Sequence, residues 1–369
     1  MNAKANIAIY DPWDPLTSMH RWHKHRLTSV EFTVTQLCNM RCEHCAVGDA
    51  LVQVEGKRLP LERIMQRLDE VEHLQTISIT GGEPSYDVAT LEEYIIPLLH
   101  YARERGVRSQ INTNLTLPFD RYERLAPYID VFHISFNYRD ARDFYEIGFA
   151  NQARPVSLAL AERMYDRLVD NTMRLAQGGA FVSAESMINV RTLEYIEDIH
   201  RIIVKLGCRR HEVHPMYPSA FAAGLPVLSL HPMRDAIHRL LDMRDPDVWM
   251  LFGTLPFFAC NSERADRELI RRLAQEPNVT VRNDPDGRNR LNVNTFNGNV
   301  YVTDFSDVPA IGNVQDDRLE EVFDQWLKAD LQMRVNCYCP QAQCCGPNLL
   351  VANMYYNDVD FTTRKAILT

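Results

Sequence analysis

Cys38, Cys42 and Cys45 lie within eight residues, in Cys38-Asn39-Met40-Arg41-Cys42-Glu43-His44-Cys45, and this Cys-x3-Cys-x2-Cys spacing restricts the chain more than any other feature. Three thiolates on one tight loop can wrap an iron–sulfur cube. Such clusters are normally held by four cysteines, so a three-cysteine loop leaves one iron open to bind a further molecule. Zinc sites usually draw four ligands from two separated pairs, and free buried cysteines behave as small hydrophobes. Neither alternative accounts for the downstream segment, a short apolar strand Ile77-Ser78-Ile79-Thr80 running into the turn Gly81-Gly82-Glu83-Pro84. Glycines there let the backbone approach a ligand with no side chain in the way.

The two motifs, in this order, resemble the radical SAM superfamily. The resemblance implies a [4Fe-4S] cluster on Cys38, Cys42 and Cys45, with S-adenosylmethionine chelated to the open iron by its amino and carboxylate groups. It assigns Gly81, Gly82, Glu83 and Pro84 to the methionine moiety and places His44 near the adenine. It also implies the chemistry. A reduced cluster passes an electron into the sulfonium, leaving methionine and a 5'-deoxyadenosyl radical that abstracts hydrogen from an unactivated carbon, while the protein positions the reactants and excludes water.

A chain of 369 residues has room for two or three domains. It is 46% hydrophobic without an apolar run of membrane-spanning length, and Met1 to Trp13 lack a basic-then-apolar export pattern. Nine cysteines in such a chain read as metal ligands in a reducing compartment, so a cytoplasmic location is expected. The net charge of -9 argues against a nucleic-acid partner.

Strand and helix patterns alternate, which places the chain in the α/β class with a parallel sheet or barrel. Strands are expected at Val30 to Thr35, Thr76 to Thr80, Arg108 to Thr113, Val131 to Ser135, Phe181 to Ile188 and Glu212 to Met216. Pro60 opens a helix with Leu61, Ile64, Leu68 and Val71 at helical spacing. Thr90 and Glu93 form a capping-box pattern before a helix through Leu99, which Pro97 should kink or break. Six strand–helix units resemble the partial (βα)6 TIM-type barrel of the superfamily, over residues 28–225, after an N-terminal extension at 1–27.

Parallel barrels gather their chemistry at the C-terminal ends of strands. Carried over by resemblance, Asn114 follows the third strand, and Ser135 and Asn137 end the fourth, from which the ribose or methionine carboxylate is contacted. Ser186 and Asn189 end the fifth, and Met216 and Tyr217 end the sixth, where backbone meets adenine. Each polar residue has a local alternative as a cap or loop hydrogen bond. The aromatic segment Asp143 to Phe149 follows a catalytic-end loop and is a candidate substrate cover.

A second constellation closes the chain, Cys337-Tyr338-Cys339-Pro340-Gln341-Ala342-Gln343-Cys344-Cys345. Upstream, Asn292 to Phe296 and Asn299 to Asp304 flank Asn297-Gly298, a strong hairpin signal. Gly312-Asn313-Val314 then leads into a helix with Leu319, Val322, Phe323 and Trp326. This order resembles the SPASM/Twitch extensions of radical SAM enzymes, and the whole chain resembles the CxCxxxxC-motif, YfkAB-type family. The resulting division is a helical linker at 226–280 and a small α+β Twitch/SPASM-like domain at 281–369.

Where those extensions place cysteines beside the hairpin, this chain has Asp284 and Asp304, which leaves thiols for one auxiliary iron–sulfur cluster. Cys337, Cys339 and Cys344 are its expected ligands, with Cys345, Cys260 or Asp304 as the fourth. Zinc suits such a thiol density as well and stays open as the alternative. Cys208 is read as a structural thiol.

The resemblance thus implies a radical SAM oxidoreductase, with a peptide or protein as the expected substrate and a flavodoxin or ferredoxin as electron donor. The auxiliary cluster would anchor substrate or accept an electron. A small-molecule substrate is the alternative; it calls for a closed pocket with few convergent polar groups, whereas a peptide calls for a long groove. About 27 residues before the first strand leave no separate peptide-capturing domain, which counts against ribosomal-peptide maturation. A non-enzymatic metal-binding or redox-sensing protein is a third reading, opposed by the intact motifs.

Overall fold

Strands and helices alternate along the chain as the apolar periodicity predicts. The structure, a computed structural model, describes residues 11–216, 218–283, 287–303, 309–330 and 334–365. After α1 (Leu16–Trp22) come β1 (Ser29–Thr35), α2 (Leu61–Asp69), β2 (Thr76–Gly81), α3 (Ile96–Glu104), β3 (Arg108–Thr113), α4 (Phe119–Leu125) and β4 (Val131–Ser135). Next are α5 (Ala141–Gly148), α6 (Leu158–Gln177), β5 (Val182–Ile188), α7 (Ile196–Lys205) and β6 (Arg210–Pro215). They are followed by α8 (Leu230–Met243), β7 (Trp249–Gly253), α9 (Arg264–Gln275) and β8 (Val279–Arg282). The chain ends with β9 (Arg290–Asn294), β10 (Asn299–Tyr301), β11 (Gly312–Asn313), α10 (Leu319–Trp326) and α11 (Leu349–Tyr355).

All these strands join one sheet in the order β11-β10-β9-β1-β2-β3-β4-β5-β6-β7-β8. Pairing is parallel from β9 to β8, and only the β9–β10–β11 meander is antiparallel. One face is apolar and helix-covered. Val30, Phe32, Val34, Ile77, Ile79, Ile111, Phe132 and Ile134 alternate onto it and are buried in a single core. The other face carries the intervening polar residues.

The expected helical linker at 226–280 is corrected. It supplies α8, β7, α9 and β8, two further units on the same sheet. Met250, Leu251 and Phe252 of β7 are fully buried, and such a short continuous apolar run looks alike in a strand buried on both faces and in a helix. The helix start near Thr90 is also shifted. Asp87 is the cap, its carboxylate accepting from the Thr90 N–H and hydroxyl, both at 2.7 Å. The regular α-helix is interrupted at Pro97 as expected: a π-turn at Leu91–Ile95 precedes it, and Pro97 stands in the first turn of the α-helix Ile96–Glu104, where its missing N–H is tolerated.

The C-terminal part shares the sheet with the rest. β9 pairs with β1 from Ser29–Arg290 to Thr33–Asn294, so β1 is an interior strand held on both sides. Arg67 of α2 donates to Val314 O at 2.7 Å, which ties the Gly-Asn-Val segment to the first helix layer.

Candidate active site

β1 delivers the cysteine loop from a base that β2 and β9 both pin. The loop is then fixed from outside: Arg41 N–H donates to Gly148 O (3.0 Å) and Glu43 N–H to Ile147 O (2.8 Å). The Arg41 guanidinium donates to Cys38 O and Met40 O, each at 2.8 Å. A Cβ on Gly148 would stand 2.5 Å from Met40 Cε. The aromatic segment Asp143 to Phe149, considered as a substrate cover, is therefore the prop beneath the loop. Phe144 and Ile147 are the buried face of α5, and Phe144 packs edge-on to Tyr138 and Phe149.

Cys38, Cys42 and Cys45 sit within electrostatic reach of one another. Burial is the main influence on all three thiols, pushing Cys38 up to about 12, Cys42 well above the usual range and Cys45 upward. Metal loading must therefore release protons. The Tyr138 hydroxyl hydrogen-bonds the Cys42 sulfur. Among the described residues no three His, Cys, Asp or Glu side chains converge as ligands of one metal ion. Three thiols on one loop are a donor set that fits a cluster with one iron left open.

The Gly81-Gly82 turn lies directly against the strand entering that loop. Gly82 N–H donates to Thr35 O (2.8 Å) and Glu83 N–H to Leu37 O (2.7 Å). A Cβ on Gly81 would meet Thr35 O at 2.2 Å, and one on Gly82 would meet Leu37 O at 2.1 Å; Gly81 also has φ +147°. Glycine is required here because backbone packs against backbone.

Glu83, expected among the residues that orient the methionine moiety, has its side chain engaged within the protein. It is fully buried, and its carboxylate accepts from Thr113 Oγ1 (2.8 Å), Ser85 N (3.2 Å) and Asn114 N (2.7 Å). It clamps the β2 turn to the end of β3. Burial pushes its pKa up to about 7, outweighing these donors. Pro84 is buried in the same turn.

Asn114 Nδ2 donates to Asn39 Oδ1 at 2.9 Å and lies 3.9 Å from Cys38 Sγ. Asn137 accepts from Met187 N (2.8 Å) and brings Nδ2 to 3.5 Å from His44 Nε2. His44 is buried, and burial lowers its pKa to about 4, so the imidazole is neutral at pH 7. Ser135 pairs in register with Glu185. The structure thus sets Asn114 beside Cys38, Asn137 beside His44 of the cysteine loop, and Gly81 and Gly82 against the strand that enters it.

Other candidates lie elsewhere or have local duties. Ser186 is on the helix-covered face, donating to Phe136 O (2.5 Å) and meeting His211 Nε2 (3.0 Å); strand alternation turns it away from the site. Asn189 accepts from Arg191 N (2.8 Å) and Thr192 N (3.1 Å), a loop cap. Met216 packs with Ala222 and Leu225. Tyr217, Asp284 and Asp304 lie outside the described residues.

Three residues that sequence reasoning passed over stand on the polar face. Glu185 Oε2 is 2.7 Å from His133 Nε2, and Oε1 bonds His214 Nε2. Burial works against the Glu185 charge, yet His214 and His133 hold its pKa well below the usual range. Glu185 and His214 also act electrostatically on His44, so the triad borders the same site. Polar residues at every second position, His133/Ser135, Ser183/Glu185 and Arg210/Glu212/His214, were the available signal.

In the tail, Cys339 and Cys344 face each other across a bridge, with Cys339 N–H donating to Cys344 O at 2.8 Å. Cys260, Cys337 and Cys344 pack around Phe258, Val351 and Phe361. Cys260 lies within electrostatic reach of Cys337, Cys339 and Cys344. Asn283 Nδ2 donates to Cys344 Sγ at 3.6 Å. Cys345 is 2% exposed and within electrostatic reach of Arg288 and Asp14. Cys208 is a core thiol.

The model of the radical SAM superfamily matches residues 32–174, and that of the YfkB-like domain matches residues 216–366. The Bacillus subtilis (strain 168) protein YfkA is 52% identical over 97% of this chain and 96% of its own length. Streptococcus suis SuiB bound to S-adenosylmethionine superposes with a TM-score of 0.60 at 14% identity, covering 91% of this chain and 74% of SuiB; SuiB has also been solved with its precursor peptide SuiA. Native anSMEcpe with bound AdoMet and the Cp18Cys peptide gives 0.57 at 14% identity, covering 90% and 94%. No helix among the described residues is long and apolar enough to cross a membrane.

Proposed function

Because this chain belongs to the YfkAB-type family of radical SAM enzymes, we propose that it abstracts hydrogen from a peptide or protein, aided by an auxiliary iron–sulfur cluster in its C-terminal part. Its superfamily works with a [4Fe-4S] cluster and S-adenosylmethionine, which when bound supply reductive sulfonium cleavage and hydrogen abstraction from carbon. Cys38, Cys42 and Cys45 would hold the cluster; Gly81, Gly82, Asn114, Ser135, Asn137 and His44 would surround the nucleoside amino acid. Glu83 acts at one remove, keeping the glycine turn in place. The observation that carries the reading is the Gly81-Gly82 turn seated on the Thr35 and Leu37 carbonyls, which joins two motifs distant in sequence beside three thiols.

The peptide substrate is supported by two fold neighbours solved with peptides. A small-molecule substrate is favoured by a different observation, the compactness of the cavity beside the cysteine loop, about 280 Å3. In the tail, Cys260 is the fourth partner we assign to Cys337, Cys339 and Cys344, because it packs in the same cluster and lies within electrostatic reach of all three; the density of thiols supports an iron–sulfur cluster, with zinc as the alternative. A flavodoxin or ferredoxin would supply the electron, in a reducing cytoplasm that suits nine free cysteines.

The test is anaerobic reconstitution followed by S-adenosylmethionine and a strong reductant. Formation of 5'-deoxyadenosine that disappears in the Cys38/Cys42/Cys45-to-Ala protein is the expected result. Reconstituted protein that binds S-adenosylmethionine and never cleaves it would overturn the reading.

A further inference from the structure

We infer that the cavity between the cysteine loop and the C-terminal hairpin is the substrate pocket, and that it takes a compact hydroxyl- or amide-bearing group carrying a positive charge. The inference rests on the radical SAM reading and names the substrate chemistry of that site. The cavity holds about 280 Å3, just below the range of ordinary small-molecule pockets. It has room for one peptide side chain or one amino sugar.

Its walls come from both matched regions. Thr33, Thr80 and Gly81, at the ends of β1 and β2, lie within the radical SAM match, so the cavity adjoins the glycine turn assigned to the cofactor, whereas Asn294 and Tyr301 of the β9–β10 hairpin lie within the YfkB-like match. Parallel pairing of β9 with β1 makes this possible, because it sets the hairpin beside the strand that bears the cysteine loop. The part of the chain that distinguishes this family thereby reaches the mouth of the reaction site.

The lining separates into engaged and free polar groups. Thr35 donates to Glu55, Asn294 Oδ1 accepts from Phe296 N at 2.9 Å, and the Tyr301 hydroxyl accepts from Asn299 Nδ2 at 3.1 Å. The side chains of Thr33, Thr80, Gln36 and Asp49 make no hydrogen bond or ion pair with other described residues. Two hydroxyls and a primary amide each donate and accept, so they match a ligand that does the same. Among the described residues that line the cavity, Asp49, on its exposed rim, is the acidic one, and none is Lys, Arg or His. A ligand ammonium or guanidinium is attracted there; a carboxylate or phosphate is repelled.

Such chemistry belongs to an amino sugar or to a basic peptide side chain, and paired probes distinguish them. Binding to anaerobically reconstituted holoenzyme with S-adenosylmethionine is measured for glucosamine against glucose, and for the tripeptide Gly-Lys-Gly against its norleucine counterpart. At least one charged probe should bind ten or more times tighter than its neutral partner, and the probe that does so identifies the source. Asp49→Asn should erase that preference, and Thr80→Val should weaken the charged probe as well. No charge preference in the wild type, or one that survives Asp49→Asn, overturns the inference. So does loss of S-adenosylmethionine binding in Asp49→Asn, which would give the cavity to the cofactor. Failure to form 5'-deoxyadenosine in the wild type strikes the radical reading instead, and is scored in the same preparation.

Discussion

The Asn114 backbone N–H donates to Glu83 Oε2 at 2.7 Å, so one buried carboxylate ties the glycine turn after β2 to the end of β3. Thr113 and Ser85 donate to the other oxygen. Glu83→Ala would leave these donors buried and unpaired, at a cost of roughly 1–3 kcal/mol for a neutral group and more in combination. We expect a loss of about 3 kcal/mol, read by urea unfolding. A loss below about 1 kcal/mol would mean the clamp is not needed.

The same residue makes stability depend on pH. Its pKa is raised by burial to about 7 from 4.5 in the unfolded chain, so between these values the native state holds a proton that the unfolded state has released. This contribution is present at low pH and declines as pH rises through that window. The unfolding free energy of wild type relative to Glu83→Gln should therefore fall between pH 5 and pH 8. A difference independent of pH counts against a raised pKa.

His200 and His211 act in the opposite sense. Their Nδ1 atoms are 3.0 Å apart, and burial lowers His200 to about 4 and His211 well below its ordinary value. The unfolded imidazoles take up protons near 6.5, so the native advantage is full above that pH and is lost as pH falls, by at most about 1.4 kcal/mol per unit for each ring. Wild type should lose stability relative to His200→Asn between pH 7.5 and pH 5 in chemical denaturation. Parallel slopes would contradict this.

Gly81→Ala and Gly82→Ala should each disturb the cysteine loop, because the added methyl meets Thr35 O or Leu37 O at about 2 Å. Neither contact is a flexible side-chain tip that can step aside. At least a tenfold loss of S-adenosylmethionine affinity is expected by equilibrium dialysis, with near-native circular dichroism. Unchanged affinity in both variants would remove these glycines from the site.

Iron content separates the candidates for the fourth tail ligand. Reconstituted wild type should carry about eight irons per chain, as two four-iron cubes. Cys260→Ala should bring this to about four, and Cys345→Ala should leave it at about eight. The reverse pattern would exchange their roles, and zinc in place of the second set of irons would make the tail a structural zinc site.

Some of this site was legible because its signals are local. Cys38, Cys42 and Cys45 share one loop, and the strand limits Arg108–Thr113 and Val131–Ser135 are those the residue pattern predicts. Asn297-Gly298 marked its hairpin because Gly298 takes φ +79°, which side-chain-bearing residues avoid. β7 was missed, since a run of Met250, Leu251 and Phe252 has no period to read.

By itself, the sequence determined the chemistry on offer: three thiols at cluster spacing, a turn that only glycine can make, and alternating strands and helices. Backbone sterics and short spacings act within a few residues and leave their mark in the order of residues. Tertiary structure alone decided which polar side chain faces the site, putting Glu185 inside and its neighbour Ser186 beneath α7. It also brought Cys260 to the tail thiols and set β9 against β1. Those outcomes depend on strand register and on contacts between distant segments, where a shift of one residue reverses every side chain while leaving the local pattern the same.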